Sequence, residues 1–121
     1  MKIFTKKDWE KKASEESVII MEDIFGKLGS IKDGYSLRYQ TRSYVGIEIN
    51  SKVDNFISFK PLKKDYVWIG IRLGKTPQRD SSIEVSGIKN FNHKNKRYNL
   101  KIKGFDFDIE LLKNLAKEAK G

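Results

Sequence analysis

The sequence predicts an α+β fold: two N-terminal helices, a mainly antiparallel sheet of four or five strands, and a C-terminal helix. Apolar side chains recur with helical spacing near both ends of the chain, whereas between residues 35 and 103 they alternate with polar ones as in β-strands. Most connections have hairpin length, which favours an antiparallel sheet with its helices packed on one face. A length of 121 residues suits one two-layer core, so residues 1–121 are predicted to form a single domain.

The first two elements are predicted to be helices. Thr5 is placed to cap the first helix, and Asp8 can reach back to it as in a capping box. Trp9 is expected to face inward and anchor this helix. The segment that starts at Ser14 restarts or continues the helix, and Gly29 is the predicted stop. The apolar stripe of this second segment comprises Val18, Ile20, Met21, Ile24, Phe25 and Leu28.

Two alternating segments follow, at residues 35–40 and 44–50. Residues 41–43 form either a tight turn between two strands or a bulge within one long strand, and the sequence leaves both possibilities open. Residues 50–55 are predicted to turn into the next hairpin.

The segment 55–73 is predicted to be the central β-hairpin. Its strands, 56–62 and 66–73, are rich in aromatic and β-branched residues, and the polar residues 63–65 separate them. Because side chains alternate along a strand, the second strand has two distinct faces. The apolar face is predicted to be core and comprises Val67, Ile69, Ile71 and Leu73. The opposite face carries Tyr66, Trp68, Gly70 and Arg72.

The remainder of the central region is less regular. Residues 74–82 form the longest irregular segment, with one helical turn possible at Thr76 and Pro77. Residues 82–88 are predicted to be a short edge strand or a loop. A polar basic loop, 90–97, precedes a final strand in which Tyr98, Leu100 and Ile102 alternate with polar residues, up to Gly104.

The C-terminal helix is predicted to begin with a cap at Asp106 or Asp108. Its apolar stripe comprises Ile109, Leu111, Leu112, Leu115, Ala116 and Ala119. Together with Glu110 and Lys113, the two aspartates superficially resemble the acidic motif of a metal-dependent nuclease. Metal nucleases present converging carboxylates from adjacent strands, whereas these cluster at a helix start. We therefore predict no catalytic residues, no metal site and no enzymatic activity.

Composition excludes several further classes of site. The chain has no cysteine, which rules out disulfides, thiolate metal sites and cysteine nucleophiles and fits a cytoplasmic location. The single histidine, His93, has no evident orienting partner for general-base chemistry. No apolar run approaches the ~20 residues of a membrane span, and the N-terminus lacks the apolar region of a signal peptide. We expect no cofactor and no membrane partner.

The positive charge is unevenly distributed. The chain has a net charge of +9, and residues 35–103 alone carry fifteen basic and five acidic side chains. Residues 1–34 are neutral overall, and residues 104–121 carry a net charge of −1. A basic patch on the sheet region is typical of a surface that binds nucleic acid or another polyanion. A soluble lysine-rich protein without such a surface is the alternative interpretation.

Several short motifs resemble a known family. They are Tyr-Val-Gly-Ile-Glu-Ile at 44–49, Asn-Phe-Ile-Ser-Phe-Lys-Pro-Leu at 55–62, Lys-Arg-Tyr-Asn-Leu-Lys-Ile at 96–102 and the closing Leu-Leu-Lys-Asn-Leu-Ala helix. The chain resembles a small α+β domain of unknown function. Bacterial proteins described as predicted transport proteins and restriction- or endonuclease-type proteins carry that domain. The resemblance implies an accessory module near nucleic-acid-processing partners, and it supplies no catalytic residues.

The outer face of the central hairpin is the predicted binding surface. Phe56, Ser58 and Lys60 are assigned to one strand of this face, beside Tyr66, Trp68 and Arg72 on the next. Aromatic rings can stack on bases while neighbouring cations meet phosphates. Alternatively, Trp68 packs under a helix or loop as part of the core. The predicted nucleic-acid-binding residues are Arg38, Arg42, Lys60, Lys63, Lys64, Trp68, Arg72, Lys94, Lys96, Arg97, Lys101 and Lys103.

The partner predicted from these residues is DNA or RNA. The competing prediction is a protein-interaction domain, which forms a homodimer or docks onto an acidic protein partner. The character of the outer sheet face distinguishes the two, because a wet, basic face favours nucleic acid and a flat, apolar face favours dimerisation.

Overall fold

The computed structural model describes residues 3–28, 34–72, 90–92, 97–105, 107 and 109–120. The helices are α1 (Lys6–Lys12), α2 (Glu15–Lys27) and α3 (Ile109–Lys120). The strands are β1 (Tyr35–Arg38), β2 (Gly46–Ile49), β3 (Lys52–Val53), β4 (Ile57–Pro61), β5 (Tyr66–Arg72), β6 (Asn90–Asn92) and β7 (Arg97–Lys103). Several predictions lie outside the described residues: the stop at Gly29, the segments 74–82 and 82–88, and the caps at Asp106 and Asp108.

Helix α1 begins where the sequence predicts, and of the two possibilities left open for the segment from Ser14 the structure has the separate helix α2. The Thr5 hydroxyl accepts from the Asp8 backbone N–H, and the Asp8 carboxylate accepts from the Thr5 N–H at 2.9 Å, which completes a capping box. The Ser14 hydroxyl caps α2 by accepting from the Ser17 N–H at 3.0 Å. Trp9 is fully buried, and its indole N–H donates to the Tyr39 carbonyl at 3.0 Å. Trp9 therefore anchors α1 against the chain after β1, as expected.

The strands form two antiparallel sheets rather than the single sheet of four or five strands that the sequence predicts. One sheet has the order β1-β2-β3 and the other β4-β5-β7-β6. An isolated bridge joins them, in which the Val45 N–H donates to the Phe59 carbonyl at 2.6 Å and the Phe59 N–H donates back at 2.8 Å. Because β1 and β2 pair antiparallel, residues 41–43 belong to the connection between two strands, not to a bulge within one.

The additional short strand arises from a tight turn. Asn50 and Ser51 have φ angles of 52° and 63°, as the two central residues of a type I′ hairpin turn require, and β3 folds back on β2. The ladder is then interrupted before β4. At the interruption, the Asn55 side-chain oxygen accepts from the Ile47 N–H at 3.0 Å, in place of a backbone carbonyl. Gly46 accommodates this side chain, since a Cβ there would lie 2.3 Å from the Asn55 oxygen.

The second strand of the central hairpin, β5, matches its predicted faces, and the predicted core residue Leu73 lies outside the described residues. In β5, Val67, Ile69 and Ile71 are buried, while Tyr66 and Trp68 on the other face are partly exposed. Helices α2 and α3 both pack against β5, so they cover the apolar face of the four-stranded sheet. The core also includes Ile20, Met21, Ile24, Phe59, Leu100, Ile102, Leu112, Leu115 and Ala116. Within the described part of the chain, no helix is long and apolar enough to cross a membrane.

The prediction that Phe56 belongs to the outer face of the central hairpin is wrong. Phe56 is fully buried and packs edge-to-face against Tyr35, with ring centroids 5.4 Å apart. It precedes the first residue of β4, so the alternation that holds from Ile57 to Pro61 does not extend back to it. Phe56 therefore belongs to the core, where it joins the two sheets.

Candidate nucleic-acid interface

The exposed side of the four-stranded sheet carries aromatic and basic side chains in register. Lys60 on β4, Trp68 on β5 and Lys101 on β7 are directly opposite one another across the three strands. In the neighbouring row, Tyr66 on β5 is opposite Lys103 on β7. These five residues, Lys60, Tyr66, Trp68, Lys101 and Lys103, are called the aromatic–basic face below. Sequence alternation places them on one side of the sheet, and strand pairing places them side by side.

Tyr66 holds two of these cations in place. The Lys101 ammonium lies 4.5 Å from the centroid of the Tyr66 ring, and the Lys103 ammonium lies 6.0 Å from it. Both distances are within the range of cation–π attraction. Tyr66 therefore keeps the two ammonium groups close to Trp68, and because the ring is uncharged it does not neutralise them.

A shallow groove lies next to Trp68. It has a volume of about 290 Å³, and it is lined by Tyr44, Ser58, Phe59, Lys60, Trp68, Ile69, Gly70 and Asn99. Ser58 and Gly70 are opposite each other in the β4–β5 ladder, so two small residues form the floor where larger side chains would otherwise meet. Trp68 is partly exposed. It is therefore neither fully covered, as a core residue would be, nor fully open to solvent.

The lysines of the aromatic–basic face are exposed, and no ion pair holds them within the described residues. The ion pairs of the described chain all involve helical residues: Lys6–Glu22 at 3.1 Å, Lys27–Asp23 at 3.0 Å and Lys113–Glu110 at 3.6 Å. Acidic side chains thus neutralise cations on the helices, whereas Lys60, Lys101 and Lys103 present their charge to solvent. This contrast matches the charge asymmetry of the sequence.

Lys63 and Lys64 extend the basic surface beyond the strands. Both are exposed and lie in the turn between β4 and β5, where Lys64 has a φ of 63°. The Ser14 hydroxyl donates to the Lys64 carbonyl, which ties this turn to the start of α2. The backbone of the turn is therefore held while its two ammonium groups stay exposed.

Arg38 and Arg42 make their described contacts elsewhere. The Arg38 guanidinium donates to the Thr41 hydroxyl at 3.2 Å. The Arg42 guanidinium carbon lies 5.7 Å from the Phe4 ring centroid, and the Arg42 carbonyl accepts from the Lys12 ammonium. These contacts involve α1 and the loop after β1, and no described contact joins either arginine to the aromatic–basic face.

Arg72 is engaged with a helix end. Its guanidinium donates to the Ala119 carbonyl at 2.8 and 3.3 Å, where a helix C-terminus leaves carbonyls without intrahelical partners. Near it, the Tyr35 hydroxyl donates to Asp54 at 2.7 Å. Burial, and then this hydrogen bond, raise the pKa of Tyr35, while the Arg72 charge acts in the opposite direction. Arg72 therefore has a structural role that its position in the sequence did not reveal.

Three predicted contacts fall on the loop before β7 and its first residue. Lys94 and Lys96 lie outside the described residues. The backbone of Arg97 pairs with Arg72 in the β5–β7 ladder, and its side chain lies outside the described part.

Sequence reasoning missed two residues that line the groove, Tyr44 and Asn99. A signal existed for both, because each precedes a buried apolar residue, Val45 or Leu100, and alternation assigns it to the opposite face. The Tyr44 hydroxyl also accepts from the Asn55 amide at 3.3 Å, which fixes its ring at the edge of the groove.

Of the three carboxylates in the nuclease-like motif, the described residues include only Glu110. Among the described residues, no group of three or more histidine or acidic side chains is arranged to hold a metal ion. Glu110 forms its ion pair with Lys113 one turn along the same helix. Asp106 and Asp108 lie outside the described residues.

Comparisons with known proteins found no matching family, no matching curated protein and no matching solved structure. The resemblance to the small α+β domain therefore stays a prediction from the motifs that carry it.

Proposed function

We propose that this protein is a non-enzymatic module that binds nucleic acid through its aromatic–basic face. The observation that carries the proposal is the row Lys60–Trp68–Lys101, in which a partly exposed ring has a lysine in register on each side. Proteins that bind single-stranded nucleic acid combine such rings with cations that follow the phosphate backbone. Lys63 and Lys64 continue the positive surface at one end of the hairpin.

The competing proposal is a protein-interaction or dimerisation domain of a larger nucleic-acid-processing or defence system. Dimerisation through this face would bring its exposed lysines close to those of a second copy, and like charges at close range oppose association. The face also exposes mixed polar and aromatic groups rather than a continuous apolar area. An acidic protein partner remains compatible with the charge, and the binding experiment distinguishes it.

The experiment is a panel of labelled DNA and RNA oligonucleotides, single-stranded and duplex, titrated at two salt concentrations. Each phosphate contact releases counterions, so the logarithm of the association constant should fall with the logarithm of salt by ~0.7 for each lysine that contacts a single strand. Lys63→Ala with Lys64→Ala should weaken binding and flatten this dependence. The same oligonucleotides should remain intact with Mg²⁺ or Mn²⁺.

The control is a variant that removes charge away from the sheet, Lys11→Ala on α1, which should change the slope little. Failure to bind any oligonucleotide at low salt would contradict the proposal and leave the protein-interaction domain standing. Cleavage of the oligonucleotides that depends on Asp106, Asp108 or Glu110 would contradict the non-enzymatic assignment.

A further inference from the structure

We infer that the groove beside Trp68 holds one unpaired base of a single-stranded nucleic acid, stacked on the Trp68 ring. This inference rests on the proposed function and specifies its ligand. Phosphate contacts alone would make the face a general polyanion surface, whereas an occupied groove makes it selective for strands whose bases are exposed.

The groove has the composition that a planar ring requires. The partly exposed ring of Trp68 borders a floor of two small residues, Ser58 and Gly70, and Tyr44 and Phe59 also contribute to the lining. Its volume of about 290 Å³ is at the lower end of the range for small-molecule sites, which suits a single base better than a larger ligand.

Polar groups in the lining are placed to meet the edge of a base. Asn99 is opposite Gly70 in the β5–β7 ladder and lines the same groove, and its amide offers both a donor and an acceptor. The Ser58 hydroxyl provides another donor or acceptor on the β4 side. A purely apolar ligand would leave these groups without partners, which disfavours it.

The cations on each side of Trp68 identify the ligand as a polyanion that carries the base. Lys60 and Lys101 are in register with Trp68 on the two neighbouring strands, so a base over the indole places its flanking phosphates near the two ammonium groups. Tyr66 has a different role, because the Lys101 ammonium lies 4.5 Å from its ring centroid. Tyr66 positions a cation, and Trp68 is the stacking residue.

A duplex cannot use this groove. Bases in a double helix are stacked about 3.4 Å apart along each strand, so their faces are covered by neighbouring bases. Only an unstacked base presents a face to the indole. The lysines alone can contact a duplex, through its phosphates. The groove therefore predicts that single strands bind more tightly than duplexes. Attraction between charges alone would not produce this preference.

The test compares three labelled probes: a thymidine or uridine 12-mer, a strand of the same length and phosphate number composed of abasic residues, and a 12-bp duplex. Stacking of one base corresponds to about a 5- to 150-fold difference in affinity. The wild-type protein should bind the base-containing strand more tightly than the abasic strand by this factor. DNA and RNA versions of the strand establish which sugar is preferred.

Two variants remove the groove by different routes while keeping every charge. Trp68→Val removes the ring but keeps a strand-forming side chain, and Ser58→Ile fills the floor but leaves Trp68 in place. Both should lose the advantage of the base-containing strand and keep the affinity for the abasic strand. Trp68→Phe retains an aromatic face and should keep part of the advantage. Urea denaturation of each variant verifies that it is folded.

Tryptophan fluorescence gives an independent readout. The protein has two tryptophans, and Trp9 is fully buried while Trp68 is partly exposed. Stacking of a base should quench the Trp68 emission on titration with the base-containing strand, and the change should be absent from Trp68→Phe. The abasic strand should leave the wild-type emission nearly unchanged.

The outcomes separate this inference from the proposed function. Equal affinity for the base-containing and abasic strands at low salt would contradict the inference that a base occupies the groove. It would still be consistent with binding through the aromatic–basic face. Unchanged selectivity in Ser58→Ile and in a folded Trp68→Val would also overturn it. Binding of none of the probes at low salt would overturn both proposals, in favour of an acidic protein partner or a second copy of the chain.

Discussion

Ile69 lies in the middle of β5 with only 1% of its side chain exposed, between the helices and the sheet. Replacing it with alanine removes buried methylene groups and leaves a cavity that close-packed neighbours fill only in part. We predict that Ile69→Ala lowers the free energy of unfolding by ~2–5 kcal/mol, measured by chemical denaturation.

Val53→Ala provides a matched control, because Val53 is also in a strand but is 51% exposed. Its free energy of unfolding should change by less than ~0.5 kcal/mol, as is usual for surface substitutions. An unchanged denaturation midpoint for Ile69→Ala would mean that the two faces of β5 are assigned the wrong way round.

Tyr39 links the chain after β1 to α2. Its hydroxyl donates to the Glu22 carboxylate at 2.7 Å, and Glu22 also pairs with Lys6 at 3.1 Å. Burial, followed by the interaction with Glu22, raises the pKa of Tyr39 above its ordinary value of 10.0. The folded state then holds the tyrosine proton more tightly than the unfolded state. This stabilisation is complete below about pH 10 and is lost as the pH rises through the folded-state pKa.

We therefore predict that Tyr39→Phe reduces the decline in stability above pH 10, because the variant has no hydroxyl to ionise. At neutral pH the variant should be less stable by ~0.5–1.5 kcal/mol, the net contribution of a typical hydrogen bond. Urea denaturation of the two proteins at pH 7 and pH 10.5 measures both effects. Parallel losses of stability between these pH values would show that Tyr39 does not contribute.

At the scale of elements, local patterns were sufficient where the chain is regular. The capping box at Thr5 predicted the start of α1, and alternation predicted both faces of β5, whereas the segment from Ser14 could equally have continued the first helix. Prediction failed at Phe56, which is buried although alternation assigns it to the outer face; just before it, the Asn55 side chain takes the place of a backbone acceptor for the Ile47 N–H. A side chain that replaces a backbone acceptor for an N–H eight positions away along the chain leaves no periodic signal in the sequence.

Substitutions at Gly46 and Asn55 test how the Asn55 side chain fits at the interruption of the ladder. Gly46→Ala should destabilise the fold by ~1–3 kcal/mol, because the new Cβ would lie 2.3 Å from the Asn55 side-chain oxygen. Asn55→Ala should also destabilise it, by ~1–3 kcal/mol, because the Ile47 N–H loses the acceptor at 3.0 Å. In the double variant the clash is absent, so the two losses should not add.

A double-mutant cycle by chemical denaturation measures the coupling. The double variant should be more stable than the sum of the single losses implies, by at least ~0.5 kcal/mol. Strict additivity would show that Gly46 is required for some reason other than the space that Asn55 occupies.

At the scale of the whole molecule, the sequence predicted where the positive charge lies but not which cations lie side by side. Lys60, Trp68 and Lys101 are adjacent only because β4, β5 and β7 pair in one register, which joins residues about 40 positions apart along the chain. Arg72 has the same alternation signal, yet it donates to the end of α3. Charge composition therefore identified the region, and strand pairing identified the face.

The final prediction separates local contact from overall charge. Lys60→Glu with Lys101→Glu places two acidic groups beside Trp68 and lowers the net charge of the protein by four, from +9 to +5. The matched control, Lys11→Glu with Lys117→Glu, makes the same change in net charge at exposed positions on α1 and α3. Long-range attraction responds similarly to both, whereas direct phosphate contacts respond only to the first.

We expect the sheet variant to lose nearly all affinity for a single-stranded 12-mer in anisotropy titrations, and its residual binding to depend weakly on salt. The helix variant should bind less tightly by a modest factor and keep the wild-type salt slope, because its phosphate contacts are unchanged. Equal losses in the two variants would mean that nucleic acid responds to the charge of the whole protein. The aromatic–basic face would then have no special part in binding.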